Sequence, residues 1–242
     1  MFTINHIKLE TIDSTNDYTL SFKDSLVFKE GLLVTANFQS GGNGQRGKAW
    51  ESNANENLLL SVVIEPKFKL NEQSLISKIA ALSVCDLLKS LGIEALVKWP
   101  NDILVNKQKI AGILMQNKLQ GNYITHSVIG LGFNVNQLVF KPYLPKATSL
   151  RLQLNKEYEV LEIQEQFLSF LSTRLIRLKK GENQTNEYLK TLFLKDIPAA
   201  FEIDNKQFMG IIKGVSEGGK LLIQLEDDSI TAFENQQVKY LF

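Results

Sequence analysis

Apolar positions along the chain change period several times, and each change marks an element. His6-Ile-Lys-Leu-Glu-Thr-Ile12 alternates and predicts a strand. Ser14 with Asp17 three residues on has the form of a capping box and predicts a helix start, with Tyr18, Leu20 and Phe22 on its apolar side. Two short apolar runs, 31–38 and 57–64, are partly β-branched and predict strands. Leu75, Ile76, Ile79, Ala80, Leu82, Leu87, Leu88 and Leu91 recur at helical spacing and predict a helix over 71–91, ended by Gly92. Strands are then predicted at 94–98 and from Asp102 to Asn106, either side of a corner where Pro100 stops ladder pairing. An Asn106-Lys107 turn leads into a strand over 109–116, and a hairpin turn at Asn122 into a long strand over 123–136.

Residues 141–158, with Pro142 and Pro145, predict irregular chain. Phe167, Phe170, Leu171, Leu175 and Leu178 predict a second long helix over 159–180. Arg174, Arg177, Lys179 and Lys180 fall in its final turns, where they suit the helix dipole and read as a solvated end. A shorter helix is predicted over 182–193. From Ile197 the texture changes to four short strands, 200–203, 208–215, 220–225 and 229–233, separated by turn compositions. The pattern as a whole predicts an α+β protein. A mixed-sheet domain with helices packed on it spans 1–196, and a small all-β domain spans 197–242. The second is too small to bury much core alone and is expected to pack on the first.

Composition narrows the function. In 242 residues, Lys+Arg 27 against Asp+Glu 26 gives net charge +1, which argues against a nucleic-acid module. The single cysteine, Cys85, excludes an internal disulfide and a multi-cysteine metal site. It lies inside a predicted helix with no nearby cation or His, so it reads as core. His6 and His126 lack metal-ligand spacing and read as structural. The N-terminus lacks the features of a signal peptide, and no window holds about 18 apolar residues, so a cytoplasmic protein with no membrane partner is expected.

The candidate chemistry starts at 39–50, Gln-Ser-Gly-Gly-Asn-Gly-Gln-Arg-Gly-Lys-Ala-Trp. This strand-to-strand loop holds four glycines, two cations and no acid. Its backbone N–H groups, with Arg46 and Lys48, suit a phosphate or a carboxylate. Residues 42–47 match the G-x-G-x-x-G spacing, but a polar stretch leading to a strand follows where a dinucleotide site needs a helix. Ser14 and Thr15 read first as caps, and otherwise as hydroxyls offered to a small polar ligand. The corner 98–102, Lys-Trp-Pro-Asn-Asp, gathers a cation, an aromatic and a carboxylate at a strand end, where Asp102 is a candidate ligand for Mg²⁺. Lys109 reads either as an edge charge or as a cation pointing into a pocket beside small Ala111 and Gly112. Gly130 and Gly132 inside a strand mark a bulge or a close approach.

Taken in order, these segments resemble the biotin protein ligases. The resemblance rests on Ser14-Thr15-Asn16, Gln39 with the 42–50 loop, Lys98–Asp102, Lys109–Ile113, Gly130–Asn134 and the β-rich tail, and so spans nearly the whole chain. It implies the class II synthetase-like biotin/lipoate ligase fold with a barrel-like C-terminal domain. It also implies an ATP-dependent biotin–[biotin carboxyl-carrier protein] ligase working in two half-reactions. The carboxylate of biotin attacks the α-phosphorus of MgATP to give biotinyl-5′-adenylate and pyrophosphate. A lysine amine of a biotin carboxyl carrier protein then attacks the acyl-adenylate and releases AMP.

By position, Ser14, Thr15, Asn16, Gln39, Gly42, Asn43, Gly44, Gln45, Lys109 and Gly112 would hold biotin. Arg46, Lys48, Trp50, Asn101, Asp102 and Asn134 would line the ATP or adenylate side, with Lys109 and Arg46 catalytic and Asp102 on the metal. The loop would order over the adenylate and exclude water. Two departures stand out. The family loop is commonly Gly-Arg-Gly-Arg-x-Gly-Arg, and here Asn43, Gln45 and Lys48 stand at its arginine positions, with Arg46 beside them. Gln116 stands where many members carry Glu. Family members pair through the central sheet, and the sequence leaves monomer and homodimer both open. The first motif begins by Ser14, so no DNA-binding domain and no repressor activity are expected. The rival readings are a lipoate or octanoate protein ligase and a non-catalytic biotin-binding sensor.

Overall fold

The computed structural model describes residues 3–42, 44, 49–142, 145–235 and 237–241. The chain runs β1 (Asn5–Ile12), α1 (Thr15–Ser21), β2 (Leu32–Gln39), β3 (Asn57–Ile64), β4 (Phe68–Lys69) and α2 (Gln73–Ser90). It continues through β5 (Leu96–Lys98), β6 (Asp102–Val105), β7 (Gln108–Gln120) and β8 (Tyr123–Asn134). Three helices follow, α3 (Leu150–Leu154), α4 (Val160–Lys179) and α5 (Thr185–Thr191). Five short strands close it: β9 (Pro198–Ile203), β10 (Lys206–Val215), β11 (Leu221–Gln224), β12 (Ile230–Phe233) and β13 (Lys239–Leu241).

The first sheet has the order β1-β2-β3-β8-β7-β6-β5, with β4 on β8. β1 and β2 are parallel and the other pairs antiparallel, so the sheet is mixed as expected. Alternation divides its two faces. Leu58, Leu60, Val62 and Ile64 of β3 and Ile129, Leu131 and Phe133 of β8 join the main core with Ile76, Ile79 and Leu87 of α2 and Phe167, Leu171 and Leu175 of α4. The intervening positions, Ser61 of β3 paired with Gly130 of β8 and Leu59 with Gly132, face the other way. There α1 covers only part of the sheet, packing on β2, β3 and β8. The part of that face lying over β7 and β8 becomes the floor of the site.

The second sheet, β12-β11-β10-β9-β13, is antiparallel throughout. Phe201, Ile212, Leu221, Ile223 and Phe233 point into the same core as the first sheet. The docking also uses polar groups. Trp99 Nε1 donates to Gly219 O at 2.9 Å and Ser74 Oγ to Glu217 O at 2.6 Å.

Three expectations need correction. The 141–158 stretch is not irregular throughout, because Ser149 caps α3 by accepting from Leu152 N, and Asn155 ends it in the left-handed region. The tail has a fifth strand, β13, paired with β9. Arg174 is not part of a solvated helix end. It is 7% exposed, donates through Nε and Nη2 to both carboxylate oxygens of Asp86 on α2, and reaches Gln184 and Glu187 with Nη1. Cys85, by contrast, is core as read, and burial pushes its thiol up to about 12. Among the described residues no helix is long and apolar enough to cross a membrane.

The Arg174 cluster joins α2, α4 and α5, so removing the buried guanidinium takes the shared partner from two half-buried carboxylates, Asp86 and Glu187. Arg174→Met is expected to cost about 3 kcal/mol in urea unfolding; a loss below about 1 kcal/mol contradicts this. Hydrogen bonds from Arg177 and then Arg174 hold the Glu187 carboxyl down at about 2, below its ordinary 4.5. The folded chain therefore binds that proton more weakly than the unfolded chain. The contribution is present above pH 4.5 and is lost as pH falls from there toward 2. Glu187→Gln should flatten the acid limb of the stability profile across that window.

Candidate ligand site on the open sheet face

The floor is made of backbone. Gly112 of β7 pairs with Gly132 of β8, and Gly130 follows two residues along on the same face, about 7 Å away. A Cβ on Gly132 would lie 2.4 Å from Trp50 Cε2 and 2.7 Å from Cδ2 and Cζ2. One on Gly112 would meet Trp50 Cζ3 at 2.9 Å. One on Gly130 would meet Asn16 Oδ1 at 2.4 Å. The two glycines noted inside β8 are thus close-approach positions, since the β7–β8 and β3–β8 registers run through both without a shift. Trp50 is pinned over the floor because its N donates to Gly42 O at 2.7 Å.

At one end of the floor lies a neutral polar pocket. Ser14 is the N-cap of α1, and its Oγ accepts from Asp17 N at 3.2 Å. Capping and exposure to a ligand are therefore compatible, since the hydroxyl hydrogen is not used by the cap. Thr15 N donates to Gln39 Oε1 at 2.7 Å, which ties the start of α1 to the end of β2. Thr15 Oγ1 and Asn16 Oδ1 lie 2.9 Å and 2.6 Å from Ser61 Oγ. Ser14, Thr15, Asn16 and Ser61 are all buried.

At the other end lies a charged corner. Lys109 Nζ is 2.7 Å from Asp102 Oδ1, and Lys98 Nζ is 3.9 Å from Asp102 Oδ2. Lys109 Nζ also lies 5.2 Å from the centroid of the Trp50 ring. Its backbone is fixed on both sides, as N donates to Lys146 O and O accepts from Thr148 N. Lys109 therefore turns toward Asp102 and the Trp50 ring and is not a free edge charge. Lys98 lies 5.1 Å from the Tyr240 ring of β13, so the second sheet also reaches this corner.

Ser14, Thr15, Asn16, Gln39, Gly42, Trp50, Asp102, Lys109, Gly112 and Asn134 thus gather on one face. Asn101 has a different duty: its side-chain amide donates to Ile113 O at 2.7 Å and its carbonyl accepts from Ile113 N, stapling the corner to β7. Asn134 Nδ2 donates to Thr148 O at 2.9 Å. Its Oδ1, with Trp50 Nε1 and Ser52 Oγ, is buried and without a hydrogen-bond partner among the described residues. Gly44 is half-buried. Asn43, Gln45, Arg46 and Lys48 lie outside the described residues. Ser61 escaped the sequence reading; its signal was a lone hydroxyl in an otherwise apolar buried strand.

The chain carries two tryptophans. In a Trp99→Phe background, Gly132→Ala should push the Trp50 indole off the floor and shift its emission to longer wavelength. Unchanged emission would contradict the close seating.

A single carboxylate flanked by two lysines fits a Mg²⁺ that arrives with substrate phosphates better than a resident ion. Consistently, no group of three or more His, Cys, Asp or Glu side chains able to hold a metal occurs among the described residues. The arrangement offers neutral hydrogen bonding at one end, positive charge at the other and an aromatic lid between.

Residues 9–134 match the model of the Biotin/lipoate A/B protein ligase family. A bifunctional ligase/repressor BirA of Bacillus subtilis is 34% identical over 109 residues, covering 45% of this chain and 34% of that protein. The chain thus spans about a third of the length of that relative. A biotin–[acetyl-CoA-carboxylase] ligase of Paracoccus denitrificans is 25% identical over 225 residues, covering 89% of this chain and 92% of that one. The structure of a biotin protein ligase from Aquifex aeolicus in complex with biotin and ATP superposes with a TM-score of 0.80 at 24% identity, covering 98% of this chain and 99% of that chain. That likeness shows the fold. The extent of the family match shows more: this chain belongs to the Biotin/lipoate A/B protein ligase family.

Proposed function

We propose that the protein activates biotin with ATP as biotinyl-5′-adenylate and transfers it to a lysine of a biotin carboxyl carrier protein. The observation that carries this reading is the pairing, on one sheet face, of a neutral hydrogen-bonding pocket with a lysine–carboxylate corner. The cyclic urea of biotin presents both N–H donors and a carbonyl acceptor, which matches the hydroxyls and amides around Ser14, Thr15 and Gln39. A dithiolane or a plain acyl chain has no use for such a pocket, which disfavours lipoate and octanoate.

The valeryl chain would run beside Trp50, whose indole already covers the glycine floor, and bring its carboxylate to Lys109. There Lys109 would hold two mutually repelling anions, the carboxylate and the α-phosphate, at attacking distance. Lys98 supplies further positive charge at the same corner. Asp102 keeps Lys109 in place before ligand arrives and would hold Mg²⁺, which neutralises phosphate charge when bound. Asn134 Oδ1 and Trp50 Nε1, which have no hydrogen-bond partner among the described residues, are groups that a bound nucleotide or acyl-adenylate would satisfy. No covalent enzyme intermediate is required, in keeping with a cysteine buried in the core. We also propose that 1–196 form the ligand-binding domain and 197–242 a small β domain, a division supported by the two separate sheets.

The test is biotin-dependent ATP–pyrophosphate exchange. Wild-type protein should catalyse it, and Lys109→Ala should lose about 10²–10³-fold in rate. Biotin binding without exchange would favour the sensor reading, and a fully active Lys109→Ala would remove Lys109 from the reaction.

A further inference from the structure

We propose that Gln116 is a positioning residue that fixes the hydrogen-bonding sense of the polar pocket, acting through Asn16 and Ser61. The inference rests on the reading of that pocket as the seat of the biotin urea.

Gln116 Oε1 accepts from Asn16 Nδ2 at 2.8 Å. That turns Asn16 Oδ1 toward Ser61 Oγ, 2.6 Å away. A carbonyl oxygen cannot donate, so this contact consumes the single hydroxyl hydrogen of Ser61. Ser61 Oγ is also 2.9 Å from Thr15 Oγ1. With its hydrogen spent, Ser61 can only accept there, and the Thr15 hydroxyl must donate to it. Thr15 then has lone pairs alone to offer a ligand, and it meets ligand N–H groups as an acceptor.

The neighbours complete the pattern. Ser14 Oγ accepts from Asp17 N and keeps its hydrogen for a ligand carbonyl. Gln39 spends Oε1 on Thr15 N and keeps its Nε2 hydrogens. Acceptor at Thr15 with donors at Ser14 and Gln39 complements one N–H and the carbonyl of a cyclic urea.

The same chain of contacts has a second, reversed setting. If the residue at 116 donated, the Asn16 amide would turn over, Ser61 would accept from Asn16 and donate to Thr15, and the Thr15 hydrogen would face the ligand. Asn16 is 4% exposed and Ser61 fully buried, so water does not blur the two settings. Gln116, turned with Oε1 toward Asn16, holds the first setting, and a residue at 116 that can only donate imposes the second.

Two measurements decide. The first is calorimetric titration of biotin into Gln116→Glu, Gln116→Met and Gln116→Lys. Glu accepts only, so its affinity should stay within about threefold of wild type. Lys donates only, and its affinity should fall about tenfold or more, as one buried hydrogen bond is misdirected. Met, which removes the acceptor without adding charge, should fall between. A plain charge effect on the biotin carboxylate gives the opposite order, with Glu weakest, and that order overturns the proposal.

The second is neutron diffraction from the deuterium-exchanged wild-type protein without ligand. Deuterium on Ser61 Oγ should point to Asn16, and deuterium on Thr15 Oγ1 to Ser61. Deuterium on Ser61 pointing to Thr15 overturns the proposal whether or not biotin binds. A wild-type protein that fails to bind biotin instead overturns the functional reading, while the neutron map still decides the relay.

Discussion

Everything in the site depends on side chains being absent from one face of two neighbouring strands. Gly112 and Gly132 oppose each other across the β7–β8 ladder, and Gly130 extends the same bare strip. Only backbone this flat lets the Trp50 indole and the Asn16 amide lie within van der Waals contact of the sheet. The reverse face of the same strands is ordinary packed core, with Ile113, Ile129, Leu131 and Phe133 against α2 and α4. The sheet is thus rigid because one face is closely packed, and receptive because the other is stripped. Strand periodicity alone makes the two properties independent.

The strip connects two chemically distinct ends, and separate parts of the chain hold each of them. The neutral end is tied through Thr15, Gln39 and Ser61, which join α1, β2 and β3. The charged end is tied partly by the second sheet. Trp99 donates to the Gly219 carbonyl, and the Tyr240 ring lies beside Lys98, so the corner holding Asp102 is anchored in both sheets. Burial pushes the Tyr240 hydroxyl well above its ordinary range, so it stays neutral beside that corner.

What the sequence made legible follows the range of the interactions involved. Elements set by local period appeared at nearly their observed bounds: β1, β2, β3, α2, α4 and most of the second sheet. Motif residues were also legible, because their spacing along the chain is fixed by the chemistry they share. The misses are tertiary. Arg174 was read from its place in a helix end, but its surroundings come from Asp86, 88 residues away, and from Glu187. Ser61 looked like one polar position in an apolar strand until Thr15 and Asn16 were brought onto it. Asn101 was grouped with nucleotide ligands, and the sequence did not show that its Nδ2 also donates to the backbone of β7. Helix α3 is a single short turn, carried by the Ser149 cap and not by any apolar period.

The central claim is that a neutral, hydrogen-bonding pocket selects biotin within a family whose members also handle lipoate. Its most direct test is a pair of calorimetric titrations of the wild-type protein without ATP, one with biotin and one with lipoate. Saturable binding of biotin and none of lipoate is expected. Lipoate binding as tightly as biotin, or more tightly, would contradict it, because the polar pocket would then not be what recognises the ligand.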